Sequence, residues 1–369
     1  MAEQPDKTTF AMDGCNAFNC CNRVLALHEV FKHQKQVIPH LVAMYGTDPK
    51  CWFYGLVDGI KPIAVKEGFT QGDVMSTWLY IMSIQPFLIG IRDILGLEGF
   101  VRFFVDDGNL FGSFEKIMEA IQYVIDVGPR FGYVMSKLKG SLCLGKCGNW
   151  ELALARKNQL INTFGLDESI IHIHPDDCEL EEQRELAAQS YGMKLVGAYV
   201  GTDSYIRHNL AIHLDKLQST VDKLLKVSHL QCRYLLLRYC FCPKIIHLLR
   251  NTRPDLTDGI VEVFEKYKKK IFCDILGKDP EHLEDVHWLQ SQLQICDGGM
   301  GLGNLEWIRH SAFAASFISH YWVTVGVEGF DMTNVLADLD TVENKHLIAF
   351  RESFRFFHQL DPALRWLNL

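Results

Sequence analysis

The segment Val101-Arg102-Phe103-Phe104-Val105-Asp106-Asp107-Gly108-Asn109-Leu110-Phe111 sets two adjacent carboxylates inside a run of β-forming residues. Its apolar and aromatic flanks read as two strands, and Asp107-Gly108 is a dipeptide suited to the tight turn between them. Adjacent acids repel each other, so a chain that keeps both at the end of a sheet has use for a cation there. Mg²⁺ takes such hard oxygen ligands and leaves room for substrate phosphates. Read alone, the same residues also describe a solvated Asp-Asp-Gly turn. The neighbours decide between the two.

Upstream, Thr8-Thr9-Phe10-Ala11-Met12-Asp13 is a short apolar run ending in an acid, followed by Gly14-Cys15-Asn16-Ala17-Phe18-Asn19 and a helical pattern from about Arg23. A strand that ends in Asp and turns into a helix can aim that carboxylate at a cation held by the hairpin. An isolated strand-end Asp is more often a helix cap. Between the two acidic elements lies Glu67-Gly68-Phe69-Thr70-Gln71-Gly72-Asp73-Val74-Met75-Ser76, which opens the apolar run Thr77-Trp78-Leu79-Tyr80-Ile81-Met82. Glycines there let the backbone approach a flat ligand and take positive φ. Asp73 is accounted for as a plain helix N-cap; Gln71-Gly72 is not.

In this order the three segments resemble palm motifs A, B and C of reverse transcriptases, with the flavour of non-LTR (LINE-like) retroelements. A fourth segment, Gly128-Pro129-Arg130-Phe131-Gly132-Tyr133 through Lys139-Gly140-Ser141-Leu142-Cys143-Leu144, is similar to motif D. Lys194-Leu195-Val196-Gly197-Ala198-Tyr199-Val200-Gly201 looks like the primer-grip hairpin that follows it. The resemblance implies roles residue by residue. Asp13 and Asp106 would be the principal ligands of two Mg²⁺ ions (Mn²⁺ as a substitute), with Asp107 a nearby acid that tunes the site. Phe18 matches the aromatic that packs under the sugar of the incoming nucleotide and excludes a 2′-hydroxyl. Gln71 and Gly72 match the loop that contacts that nucleotide and the template. Lys139 matches the motif D lysine, placed to protonate departing pyrophosphate or neutralise its charge. The plainer roles are a core residue for Phe18 and a solvated surface for Lys139.

Two departures from the family pattern stand out. Val74 occupies the place of a proline, which would pre-set φ at the first helical position. Only twelve residues precede Asp13, whereas the family carries a basic fingers region before motif A, so the resemblance implies an N-terminally truncated enzyme. The net charge of −8 is also unexpected for a nucleic-acid enzyme, because affinity for phosphates comes from Lys and Arg. Acids cluster at Asp176-Asp177-Cys178-Glu179-Leu180-Glu181-Glu182, and basic residues concentrate between Lys216 and Lys270.

Twelve cysteines in 369 residues, without paired spacings, read as reduced thiols rather than a disulfide framework or a tetrahedral zinc site. His172 and His174 alternate on what reads as an exposed strand edge. No signal peptide is expected, and no apolar stretch of about 20 residues that would span a membrane; the expected location is intracellular, nucleus or cytoplasm. Gly298-Gly299-Met300-Gly301-Leu302-Gly303 reads as a connecting turn rather than a phosphate cradle. Trp307, Phe313, Phe317, Tyr321 and Trp322 read as a core stripe first and a stacking platform second.

Periodicity places a helix over 23–45, two strands between Lys50 and Val65, a helix over 74–95 broken at Pro86, the hairpin at 100–112 and an amphipathic helix from Phe114 to Val127. Leu210, Ile212, Leu214, Leu217, Val221, Leu224 and Leu225 then keep near-helical spacing. The expected fold is α+β: a polymerase palm (split βαβ, helices on one sheet face) over 1–150, an insertion and primer-grip-like hairpin over 151–205, a helical thumb-like region over 206–275 and a helical extension over 276–369. The expected activity is RNA-directed DNA synthesis, with an RNA template, a DNA primer and deoxynucleoside triphosphates as partners. A catalytically inactive remnant that keeps nucleic-acid binding at most is the alternative from another class. An RNA-dependent RNA polymerase is a further alternative, disfavoured by Phe18.

Overall fold

The computed structural model describes residues 5–15, 17–46, 50–53, 61–64, 67–70, 72–324 and 345–360. The chain divides into two compact units, residues 1–196 and 197–369, and the architecture is α+β.

In the first unit a five-stranded mixed sheet has the order β4-β5-β1-β6-β7. The strands are β1 (Thr8–Gly14), β4 (Phe100–Phe104), β5 (Asp107–Gly112), β6 (Met135–Cys143) and β7 (Ile171–His172). β2 (Lys50–Phe53) and β3 (Lys61–Ala64) pair separately as an antiparallel ribbon, on the stretch read as two strands. β1 is central, antiparallel to β5 on one side and to β6 on the other; β6 and β7 are parallel. Alternation along the strands decides the faces. Phe10 and Met12 of β1, Leu110 of β5 and Leu142 of β6 enter the main core. The intervening Ala11 and Cys143 meet Tyr191, Met193 and Leu195 instead; the last two lie on β8 (Gly192–Leu195).

The main core is completed by α4 (Ser76–Leu95) and α5 (Phe114–Val127), which pack on the sheet and on each other. α5 starts where Ser113 accepts a hydrogen bond from the Lys116 amide, and it buries Phe114, Ile117, Ala120, Ile121 and Val124 at helical spacing. α1 (Ala17–Cys20), α2 (Arg23–His33) and α3 (Ile38–Tyr45) precede them, and α6 (Trp150–Phe164) and α7 (Glu181–Ser190) follow.

Several sequence expectations are corrected here. The helix expected over 23–45 is two helices, because Gln34 leaves helical geometry at φ −145° and ψ 63°. α4 is not broken at Pro86. Proline removes one backbone donor and crowds the preceding turn, yet Leu79, Tyr80, Ser83, Ile84, Phe87, Ile91 and Leu95 are buried along the helix on both sides of it. Burial of that face outweighs the local cost. An apolar stretch of membrane-spanning length does exist. Among the described residues α4 alone is long and apolar enough to cross a membrane by length and composition, and its apolar face is spent on the core. The eleven described cysteines are free.

His172 and His174 are not on an exposed edge. Both are partly buried. His172 sits on β7 beside Cys143, and the His174 ring caps the turn at Pro175–Asp177 by accepting from the Asp176 amide. Burial, helped by the charge of Lys157, holds the His172 imidazole down at about 4 against an ordinary 6.5. A depressed folded value means the neutral ring favours the fold above about 6.5, and that contribution is lost as pH falls through about 4. His172→Gln should therefore flatten the acid limb of stability across that window, measured as urea midpoints against pH.

The second unit is helical after β9 (Ala198–Gly201): α8 (Asp203–Leu225), α9 (Leu230–Leu236), α10 (Ile246–Asn251), α11 (Asp258–Leu276), α12 (Asp285–Gln292), α13 (Leu305–Thr324) and a last helix, Lys345–Leu360. α8 buries Leu210, Leu214, Leu217, Val221 and Leu224, alternating three- and four-residue steps, while Ile212 points outward. Phe241 stacks on Phe264 of α11 at 4.6 Å. Lys268 of α11 is fully buried, paired with Glu265 at 2.7 Å and donating to the Gly303 carbonyl at 2.6 Å. Glu265 also accepts from the Leu305 amide at 2.9 Å, so the glycine-rich segment at 298–303 and the start of α13 are tied down by α11. In the aromatic stripe, Phe313 is buried and Phe317 stacks on Phe350 at 4.4 Å. The side chains of Tyr321 and Trp322 lie outside the described residues.

Candidate active site

The three carboxylates meet at one end of the central strands. β1 and β5 pair as far as Met12 opposite Gly108, and one step beyond that last pair stand Asp13 and Asp107. Asp106 belongs to the turn joining β4 to β5. That turn lies two residues earlier than the Asp107-Gly108 dipeptide implied: Phe104 pairs with Asp107, so Val105 and Asp106 form the loop and Gly108 lies within β5, opposite Phe103. Val105 has φ 62° while Asp106 does not share the positive sign, the pattern of a type II′ turn. A β-branched residue is strained there, and the strain falls on the residue that presents Asp106.

Asp107 is held above the usual carboxylate range by partial burial first, then by the charges of Asp106 and Asp13. The charges of Asp106 and Asp13 thus both reach Asp107. Lys139 answers them: its Nζ lies 3.8 Å from Asp13 Oδ2, with most of the lysine exposed. A bulge brings it there. Met12 pairs with Gly140 but Gly14 pairs with Met135, so Ser136–Lys139 loop out opposite Asp13. The Ser136 hydroxyl braces this loop by accepting from the Leu138 and Lys139 amides at 3.4 and 3.1 Å.

Phe18, on α1, is half-buried and stacks on Tyr80 of α4 at 4.9 Å. Its backbone is tied to the glycine loop: the Phe69 amide donates to the Phe18 carbonyl at 2.8 Å, and the Gly68 amide to the Cys21 carbonyl at 3.0 Å. Arg23 adds bonds to the Gly68 and Glu67 carbonyls at 2.6 and 3.1 Å. Gly68 has φ 67°, and a Cβ there would stand 2.2 Å from the Asn19 carbonyl oxygen, so only glycine fits the junction. Gly72 is exposed with φ 91° and open space around it; Gln71 lies outside the described residues. Asp73 is not the cap of α4: Met75 holds that position without a side-chain cap, and Asp73 instead braces the turn before it, accepting from the Met75 amide at 2.9 Å and from the Tyr45 hydroxyl.

Asp13, Asp106, Asp107 and Lys139 thus share one end of the sheet, and Phe18 is joined to that end through Tyr80, on which the Asp106 charge acts. Among the described residues no three acidic, histidine or cysteine side chains stand as a ready metal-ligand set. The donor chemistry nevertheless suits a hard divalent cation: the charges of Asp13 and Asp106 both act on Asp107, and a single lysine stands 3.8 Å from Asp13. Reading the sequence missed Val105, Ser136, Tyr80 and Tyr133. The signal available for the tyrosines was a polar tip on an otherwise apolar face.

Comparison with known proteins found no matching family model and no matching curated protein.

Proposed function

We propose that the first unit is the palm of a template-directed nucleotidyl transferase, a reverse transcriptase of the non-LTR type. The helical second unit would take the place of the thumb that holds the primer-template duplex. The observation that carries the reading is the joining of Asp13 to the Asp106-Asp107 hairpin at one sheet end, with Lys139 at 3.8 Å from Asp13. Motif order alone does not require that meeting.

In this reading Asp13 and Asp106 would hold Mg²⁺, which supplies charge neutralisation at the attacking and leaving oxygens. Asp107, beside them, adds to the local negative field. The primer 3′-hydroxyl would attack the α-phosphorus of a deoxynucleoside triphosphate and give up its proton to solvent, a new P–O bond forming as the bond to the β-phosphate oxygen breaks to release pyrophosphate. Lys139, 3.8 Å from Asp13, would donate a proton or positive charge to that leaving group. Phe18, backed by Tyr80, forms a floor for the sugar, and Gly72 leaves the backbone open beside the base.

The test is primer extension on a primed RNA template with deoxynucleotides and Mg²⁺, using the full chain, with Asp106→Asn as control. Extension that disappears in the control supports the reading. Binding of the primed template without extension would favour the inactive remnant instead. Phe18→Ala is expected to raise ribonucleotide incorporation by roughly 10- to 200-fold relative to deoxynucleotide, the range one steric contact commands. Unchanged discrimination in single-nucleotide assays would return Phe18 to a purely core role.

A further inference from the structure

Two tyrosine hydroxyls lie buried within electrostatic reach of the carboxylate cluster. Tyr80 lies on α4 and Tyr133 just before β6, and each is fully buried. Neither hydroxyl has a hydrogen-bond partner among the described residues. Native folds rarely tolerate this, since a buried hydroxyl without a partner forfeits its hydration and gains nothing back.

Their surroundings say where the hydroxyls belong. The Tyr133 ring lies against Gly14, the residue after Asp13; a Cβ on Gly14 would stand 2.8 Å from its Cε2. Phe87 and Phe103 hold the ring from other sides, with centroids at 5.5 and 5.7 Å. The Tyr133 hydroxyl lies close enough to Tyr80, Asp13, Asp106 and Asp107 for each to act on it electrostatically, and the Tyr80 hydroxyl close enough to Asp106. Tyr80 is fixed by the Phe18 ring stacked at 4.9 Å. Both phenols are locked by aromatic packing, and both carry a donor within electrostatic reach of carboxylates that only accept.

We propose that Tyr80 and Tyr133 are positioning residues of a divalent-cation site, donating to the Asp106 and Asp13 carboxylates once a cation draws those side chains inward. This rests on the reading of Asp13 and Asp106 as cation ligands. A hydrogen bond to one carboxylate oxygen leaves the other directed at the cation and limits rotation of the group, the usual service of outer-shell donors. It also gives the two hydroxyls the partners they lack.

The experiment is cation titration of the full chain with Mn²⁺, followed by electron paramagnetic resonance, and with Mg²⁺ as competitor. It compares the unaltered protein with Tyr80→Phe, Tyr133→Phe and Asp106→Asn. Each phenylalanine variant removes one oxygen and keeps the ring. The expected result is a Kd raised about 10- to 100-fold in each, with the cation-free melting temperature unchanged or higher because an unpaired hydroxyl is gone. Unaltered Kd values in both phenylalanine variants, with binding lost in Asp106→Asn, would overturn the tyrosine role and leave the site reading intact. A lowered cation-free melting temperature would overturn it too, by assigning the hydroxyls to the fold itself. Absence of cation binding by the unaltered protein would overturn both readings together.

Discussion

On the proposed function, Asp106→Asn is expected to suppress whatever primer extension the chain supports by about three orders of magnitude or more while leaving the first unit folded and, without divalent cation, no less stable. The substitution keeps the shape of the side chain in a loop whose geometry is set by Val105 and by the pairing of Phe104 with Asp107. What it removes is charge. Asp107 is held above its usual value by burial, then by Asp106 and Asp13. A raised folded value means its contribution is favourable at low pH and is lost as pH rises through that value. Taking away Asp106 relieves part of this loss, so the cation-free protein should gain stability near neutral pH.

The cation-dependent side runs the other way. A ligand that binds only the folded state stabilises it by about 2.7 kcal/mol at a hundredfold excess over its Kd. The unaltered protein should show a rise in melting temperature with Mg²⁺ that Asp106→Asn lacks. The two effects therefore separate in one set of thermal scans with and without Mg²⁺. A variant that melts lower than the unaltered protein without cation would contradict the repulsion between these carboxylates.

Phe87→Ala is expected to cost the first unit roughly 3–5 kcal/mol, the usual range for truncating a fully buried phenylalanine. Phe87 is fully buried on α4, one residue past the proline that the helix tolerates. Its ring meets Tyr123 of α5 at 5.9 Å, Phe131 at 5.8 Å and Tyr133 at 5.5 Å. Truncation opens a cavity at the point where two helices and the approach to β6 converge, and rigid rings cannot collapse into it. Urea denaturation followed by far-UV circular dichroism measures the loss. Phe87→Leu should retain a good part of the stability, because it refills most of the volume. The same truncation removes a wall of the Tyr133 site, so cation affinity should fall in Phe87→Ala beyond what the lost stability explains.

Where the cue was local, reading the sequence succeeded. The span of α5 follows from Ser113 and the apolar steps Phe114, Ile117, Ile121 and Val124. The hairpin follows from β-formers around two acids, and the buried face of α8 follows from leucines at helical spacing. Each of these depends on residues a few positions apart, and the chain carries such patterns openly. The sequence also marks Asp13, Asp106 and Asp107 by type and context, whereas Phe18 and Lys139 are marked only by the family resemblance.

Tertiary structure decided what these residues do to one another. Turn chemistry favoured Asp107-Gly108 as the loop, but pairing of β5 with both β4 and β1 moves the turn to Val105-Asp106 and places the strain on Val105. Local rules broke the helix at Pro86, yet the buried face of α4 carries it through. Lys139 reaches Asp13 only because β6 bulges over Ser136–Lys139, a register break that no run of neighbouring letters records. Tyr80 and Tyr133 come from separate elements, and their meeting near the carboxylates depends on how α4 packs on β4 and how β6 pairs with β1. Sequence determines periodicity and side-chain chemistry because those act over one or two turns of chain. Register and the convergence of distant groups are settled by burial of the shared core, where the free energy of many contacts overrides the preference of any single segment.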